Sequence, residues 1–420
     1  MRYKKIFVYA DWVELEKPTL MGSLFVDILR GKEIFSFEYS DEWLKSNQLH
    51  LLDPHLGLYP GKQYINDEKP NFGLFLDSSP DRWGRVLMRR RESILANAEN
   101  RPMKILNESD FLLGVYDLHR MGALRFKIEP DGEFLDNNAE YSAPPWTSLR
   151  ELEHASLELE NNIEQDNPDL LRWINLLMAP GSSLGGARPK ASVQDTYGEL
   201  WIAKFPSNSD TIDIGAWEIV ANVLAAKSGI ATAKGLVKKF NSKHHTFLTK
   251  RFDRIADGKR LHFSSAMTLL GYNDGANADE GVSYLELVEF IIQNGAKVNE
   301  DLEELFKRIV FSIAISNTDD HLRNHGFILT QNGWILSPAY DLNPNQYGMG
   351  LKLNISEHDN SLDFNLALSV ASFFRLSDKQ AAEIIDNTKK VVSSWREVAT
   401  NYRIPKSEQD MMRTSFSRVE

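Results

Sequence analysis

The sequence contains no cysteine. Disulfides, thiol nucleophiles and thiolate metal sites are thereby excluded, and the absence suits a reducing compartment. Long apolar runs are missing too. The N-terminus, MRYKKIFVYADWVELE, carries basic residues, but its apolar stretch IFVYA stops before Asp11, which is too short for a signal peptide. No run approaches the roughly 18 apolar residues of a membrane helix. A cytoplasmic protein without membrane contact is expected. An excess of positive charge is also lacking: the net charge is −11 and the pI about 5.5, so the field of the whole chain disfavours nucleic acid. The one basic run, DRWGRVLMRRRES, holds Arg82, Arg85, Arg89, Arg90 and Arg91. At helical spacing it reads as a solvated helix face rather than a DNA site. Internal repeats and low-complexity tracts are absent.

The chain has 420 residues, 42% of them hydrophobic and 10% aromatic, enough for a large core and two or three domains or lobes. KIFVYAD, GSLFVDILRG and EIFSFEYS read as strands, and DFLLGVYD and MGALRFKIE as two more. SLRELEHASLELENNI and NPDLLRWINLLM read as helices. A Gly-rich loop, PGSSLGGARPK, leads into a strand, and ELWIAKFPS forms another. DIGAWEIVANVLAAKSGI is a helix stopped at Gly229, and HTFLTKRFDR is strand-like. In EDLEELFKRIVFSIAIS, the residues Leu302, Leu305, Phe306, Ile309, Val310 and Ile313 recur at helical spacing and define one buried face. GFILT and GWILS suggest a hairpin, and the chain from about Phe364 is helical. Mixed β/α first and mostly α later suits an α+β protein of two lobes.

Four pieces, taken in chain order, suggest chemistry. SSLGGARPK has consecutive glycines, which let backbone N–H groups approach an anion; an ordinary turn is the plainer reading. Lys204 lies in the apolar strand LWIAKFP and would reach a phosphate, with Glu218 on the next helix to hold it by an ion pair; an exposed Lys and Glu would look the same. Within ISNTDDHLRNHGFIL, Asp319 and Asn324 have the Asp-x-x-x-x-Asn spacing of a protein-kinase catalytic loop. There the Asp accepts a hydroxyl proton and the Asn oxygen holds Mg²⁺. Asp341, in SPAYDLNP, stands seventeen positions after Asn324, where a second Mg²⁺ ligand would stand. Carboxylate and amide oxygens suit that hard cation, although an Asp near Pro also starts turns.

Together these blocks resemble the HipA family of bacterial serine/threonine protein kinases, the toxins of type II toxin–antitoxin systems. NTDDHLRNHGFIL and SPAYDLNP are the most specific pieces. SSLGGARPK, IAKFP, KRFDR, HFSSAMTLLG, FLDSSPDRWGRVLMRRR and GALRF match further family blocks, so the likeness spans essentially the whole chain. It implies a two-lobed protein-kinase-like fold. Residues 1–105 would form a β-rich N-terminal subdomain, 106–255 a kinase N-lobe-like region, and 256–420 a helical C-lobe. It implies Asp319 as catalytic base, and Asn324 and Asp341 as Mg²⁺ ligands. ATP would be contacted by Gly185, Gly186, Ala187, Arg188, Pro189 and Lys190 of the phosphate loop, by Lys204, and by Lys250, Arg251 and Phe252 beside the adenine. His321, Leu322, Arg323, Asn324, Tyr340 and Asp341 would complete that set. Ser183, or the adjacent Ser182, matches the autophosphorylated serine of the loop.

The resemblance also implies partners. These are a HipB-like helix-turn-helix antitoxin, which would carry most of the contact with operator DNA, and a protein substrate such as an aminoacyl-tRNA synthetase. There are departures from other kinases and from some relatives. The His-Arg-Asp of eukaryotic kinases is absent, SSLGGARPK is not their Gly-x-Gly-x-x-Gly loop, and Lys250 stands where some family members carry an acid. Two alternatives remain at this level. One is a nucleotide-binding module without catalysis. The other is a metal hydrolase with Asp319, Asp320, His321 and His325 as ligands, although Gly326 and GFILT argue that this stretch is leaving a helix.

Overall fold

The computed structural model describes residues 4–46, 50–66, 69–161, 169–178 and 188–420. They form two compact units, each built from two segments: Met1–Asn208 with Lys250–Ser264, and Ser209–Thr249 with Ser265–Glu420. Among the described residues, no helix is long and apolar enough to cross a membrane.

The first unit is organised by a five-stranded sheet in the order Gln63–Tyr64, Lys32–Tyr39, Thr19–Leu29, Lys5–Ala10, Leu124–Lys127. Alternating burial along Lys5–Ala10 turns Ile6, Val8 and Ala10 inward, as the period of a half-buried strand requires. Gly22 lies opposite both Val8 and Tyr39. A β-carbon there would sit 2.3 Å from the Glu38 carbonyl oxygen, so the close approach of the two strands needs glycine. MGALRFKIE contributes its strand as read. DFLLGVYD does not: Glu108–Leu113 is a helix. Asn107 and Asp110 cap it reciprocally, and short apolar runs cannot separate strand from buried helix by periodicity.

The basic run also departs from expectation. It lies on the helix Arg82–Ala98, but its arginines do not form a solvated face. Arg85 donates to Glu108 (2.8 Å), Arg90 to the Leu159 carbonyl (2.6 Å) and Arg91 to Asn175 (3.2 Å). Arg85 and Arg89 also lie over the Phe111 ring. The cations therefore pin neighbouring helices rather than face solvent together.

In the second unit, Val298–Ile315 is one helix. All six residues of its expected apolar face are buried. Its last turns join Trp217, Val220 and Leu224 of the helix Ile214–Lys227, together with Trp395 and Phe416, in one core. The Trp395 and Phe416 rings stack at 4.4 Å. Asp213 caps the helix Ile214–Lys227 through the Ala216 N–H, and Gly229, at φ 85°, follows its end. The expected hairpin is Gly326–Thr330 paired with Gly333–Leu336.

Replacing Gly22 with Ala is expected to destabilise the first unit by about 1–3 kcal/mol, the cost of overpacking. Urea unfolding followed by tryptophan fluorescence reads this as a lowered midpoint.

Candidate active site

The helix Val298–Ile315 stops because Ser316 turns left-handed, at φ 53°. That conformation is unfavourable for a residue with a side chain. It is held by the Ser316 hydroxyl, which donates to the Ser415 carbonyl (2.9 Å) and accepts from Arg418 (2.8 Å). Three residues later Asp319 is exposed, whereas Asp320 turns into the core. Asp320 Oδ1 lies 3.0 Å from His325 Nε2. Its Oδ2 accepts from the Tyr284 hydroxyl at 2.6 Å and from the Ser312 hydroxyl at 3.3 Å. Burial pushes the Asp320 carboxyl up. The neighbouring His325, and the hydrogen bonds from His325 and Tyr284, overcome this and hold it below the usual carboxylate range.

Between the two clamped residues the backbone makes a short 3-10 turn, Leu322–Asn324. The His321 N–H donates to the Asp319 carbonyl (2.9 Å) and the Asn324 N–H to the His321 carbonyl (2.8 Å). The Asn324 amide nitrogen also donates to the Asp319 carbonyl, at 3.0 Å. Only the nitrogen of an amide can donate, so this bond fixes which way the group points. Its oxygen is left buried with no hydrogen-bond donor. An orphaned carbonyl oxygen is costly unless something else binds it, and a hard divalent cation is well matched to it.

The chain then runs through the hairpin to Tyr340 and Asp341. The Tyr340 hydroxyl donates to the Arg323 carbonyl at 2.7 Å. The residue before Asp341 is thus bonded to the residue before Asn324. Asp341 has a left-handed backbone, φ 57°, and its Oδ1 accepts from the Asn343 amide at 3.0 Å. Glu218, Asn222, Thr249, Tyr340 and Asp341 line one small cavity in this unit. The sequence reading singled out Asp320 and His325 only as hydrolase ligands, and it missed Tyr284 and Asn343 altogether. Among the described residues, no group of three or more His, Asp or Glu could hold a metal ion, so the hydrolase alternative lacks a ligand set there.

The remaining expected residues belong to the first unit or fall outside the described ones. Ser182, Ser183, Gly185, Gly186 and Ala187 lie outside the described residues. Pro189 accepts from the Phe205 N–H at 2.9 Å, and Arg188 precedes it. Lys190 is buried, with its Nζ 2.7 Å from Asp81. Asp81 also caps the helix Arg82–Ala98 through the Gly84 N–H, and the Trp83 indole donates to the Lys190 carbonyl. Lys204 is buried at the end of the strand Leu200–Lys204, opposite Lys190 in the ladder. It belongs to the first unit and Glu218 to the second. Lys250 pairs with Glu199 at 2.6 Å. Arg251 is buried: its guanidinium pairs with Asp253 at 2.6 Å and donates to the Arg120 carbonyl, while its N–H donates to Leu200. Phe252 packs on Phe263, ring centroids 5.9 Å apart. Lys250 and Arg251 help to line a cavity of about 640 Å³ in this unit, with Tyr197, Leu200 and Arg254.

With this geometry in view, the comparison with known proteins is specific. The HipA-like C-terminal domain matches residues 182–395, half of the chain. The chain belongs to the HipA-like family. A Haemophilus influenzae protein, provisionally named a kinase, is 33% identical over 107 residues. That match covers 24% of this chain and 31% of the relative, so the chain spans under a third of that protein's length. The structure of Shewanella oneidensis HipA, solved with HipB and operator DNA, superposes with a TM-score of 0.64 at 17% identity. It covers 99% of this chain and 95% of the Shewanella chain. The α+β fold expected from the sequence is therefore the HipA fold.

Two outcomes follow for this HipA-like chain. Removing the clamp with Asp320→Ala strands His325 and the Tyr284 hydroxyl in the core. It is expected to destabilise the second unit by about 3 kcal/mol, seen as a lower urea midpoint. The second concerns Asp253, fully buried between Arg251 and Arg254. Burial raises its carboxyl, but the two guanidinium groups overcome this and hold it at about 2. A depressed carboxyl stabilises the fold above the ordinary Asp value near 3.9, and the stabilisation is lost as pH falls through about 2. The group is worth about 2 kcal/mol. In urea titrations from pH 7 to pH 2, Asp253→Asn should start less stable and show a shallower loss below pH 4 than the unaltered protein.

Proposed function

We propose that this chain is an ATP- and Mg²⁺-dependent protein serine/threonine kinase, the toxin of a HipBA-like toxin–antitoxin module acting in the cytoplasm. One observation carries the reading. The exposed Asp319 is bonded through its carbonyl to Asn324, whose amide oxygen is buried without a donor, and Asn324 is tied through the Arg323–Tyr340 bond to the segment bearing Asp341. These bonds support reading Asp319 as a general base and Asn324 and Asp341 as oxygen ligands for a cation, on a HipA fold.

In this reading Asp319 accepts the proton of the acceptor hydroxyl, being accessible while its neighbours on both sides are fixed. Asn324 and Asp341 would hold Mg²⁺, which when bound neutralises charge on the phosphates being transferred. Arg188, Pro189, Lys190, Lys204, Lys250, Arg251, Phe252, His321, Leu322 and Tyr340 keep the ATP roles that the resemblance gives them, and Glu218 its ion pair with Lys204. The internal engagement of Lys190 and Arg251 assigns those two a backbone or supporting part. Residues 1–105, 106–255 and 256–420 are proposed as N-terminal, N-lobe-like and C-lobe parts. Phosphorylation of Ser183 or Ser182 would place a dianion beside the ATP phosphates and repel them. A HipB-like antitoxin is the proposed partner and bridge to DNA, supported by the HipA–HipB–DNA assembly of the Shewanella relative. The substrate is proposed to be a translation component such as an aminoacyl-tRNA synthetase.

Phosphatase-treated protein incubated with Mg²⁺ and ATP should gain phosphate-sized mass at Ser182 or Ser183, by intact-mass and peptide analysis. Asp319→Asn should lose at least about two orders of magnitude in rate, the usual contribution of a general base. Retained transfer in that variant would remove Asp319 from the role.

A further inference from the structure

The segment after Tyr340 carries a second asparagine that the catalytic-loop spacing does not call for. Asn343 lies two residues beyond Asp341, between Leu342, which is packed into the core of the second unit, and Pro344. Its amide nitrogen donates to Asp341 Oδ1 at 3.0 Å. Its amide oxygen is buried and receives no hydrogen bond. The same two features mark Asn324: a committed nitrogen and an orphaned oxygen. Gln63 and Asn317 also have buried oxygens without donors. Gln63 donates to backbone carbonyls and Asn317 to the Ser312 hydroxyl; neither donates to a carboxylate. Asn343 alone of these joins an orphaned oxygen to a bond with an expected cation ligand.

We infer that Asn343 belongs to the cation site, holding Asp341 by its nitrogen and offering its oxygen as a further donor to the divalent ion. The inference rests on the proposed kinase reading. With one amide and one carboxylate from the protein, water and phosphate oxygens fill the rest of the cation's shell, and a third protein oxygen would take the place of one water. A neutral third oxygen adds a ligand without adding another negative charge to repel the phosphates. The bond to Asp341 also restrains a carboxylate that must sit on a left-handed backbone. Groups that orient metal ligands typically contribute 10–100-fold to metal affinity.

The test measures Mn²⁺ affinity by electron paramagnetic resonance in the presence of ADP, on the full chain. This readout is independent of phosphate transfer. Asn343→Leu, close in size, removes both the donor and the oxygen. It should weaken Mn²⁺ binding about tenfold or more while ADP affinity without metal stays unchanged. Asn343→Asp keeps an oxygen at the same place but gives up the donor to Asp341, and should retain Mn²⁺ binding tighter than that of Asn343→Leu. The inference is overturned if Asn343→Leu binds Mn²⁺ normally, or if folded Asn343→Asp has lost Mn²⁺. Should Asn343→Leu fail to fold, the Asn343→Asp result decides. If the unaltered protein binds Mn²⁺ and ADP yet transfers no phosphate, the kinase reading fails and the cation site stands. If it binds no Mn²⁺ with ADP, the inference fails as well.

Discussion

The candidate site depends on one buried carboxylate–imidazole contact, Asp320 with His325. Asp320 and His325 each lie one residue after a proposed functional side chain, Asp319 and Asn324. Their 3.0 Å contact closes the stretch between them. Because neighbouring residues share a peptide unit, fixing Asp320 and His325 leaves Asp319 and Asn324 little freedom to separate. The remaining freedom is taken up by the Asn324 amide bonded to the Asp319 carbonyl. Burying two ionisable groups brings little net stability when they are well paired. What it supplies here is geometry. The anchor extends outward, because Asp320 also accepts from Tyr284 on one helix and Ser312 on another. The loop is thus registered against two helices rather than against itself.

A different device steadies the first unit. Arg120 is fully buried and donates to the carbonyls of Ser78, Leu112, Val115 and Leu135. Arg251 and Arg254 reach the Arg120 and Gly122 carbonyls, and share Asp253 between them. A planar guanidinium with several donors can satisfy carbonyls from several loops at once. This is how irregular segments become interior without orphaned backbone groups. It also explains why Arg251 serves the frame: its side chain is committed before any ligand arrives.

The parts of this arrangement that follow local rules were legible in the sequence. The apolar spacing of Leu302 to Ile313 foretold the helix and its buried face. The paired runs GFILT and GWILS foretold the hairpin, and the positions of Asp319, Asn324 and Asp341 stood out by spacing alone. What escaped was set by distance along the chain. Tyr284 meets Asp320 thirty-six residues away, and no spacing rule links them. Glu108–Leu113 escaped for a local reason: its apolar run is too short for periodicity to show, and its capping asparagine was not weighed.

The arginines of the helix Arg82–Ala98 show how charge patterning misleads in the same way. Five cations within ten residues look like a surface. Three of them are bound to Glu108, the Leu159 carbonyl and Asn175, so the run is a set of clasps between helices. A phosphate backbone would have to displace those partners before this helix bound it, and the whole-chain charge of −11 opposes the approach. The strength of a basic run as a sign of nucleic acid depends on whether its guanidinium groups are still uncommitted once the chain has folded. Here most are not, and the run carries no argument for nucleic acid.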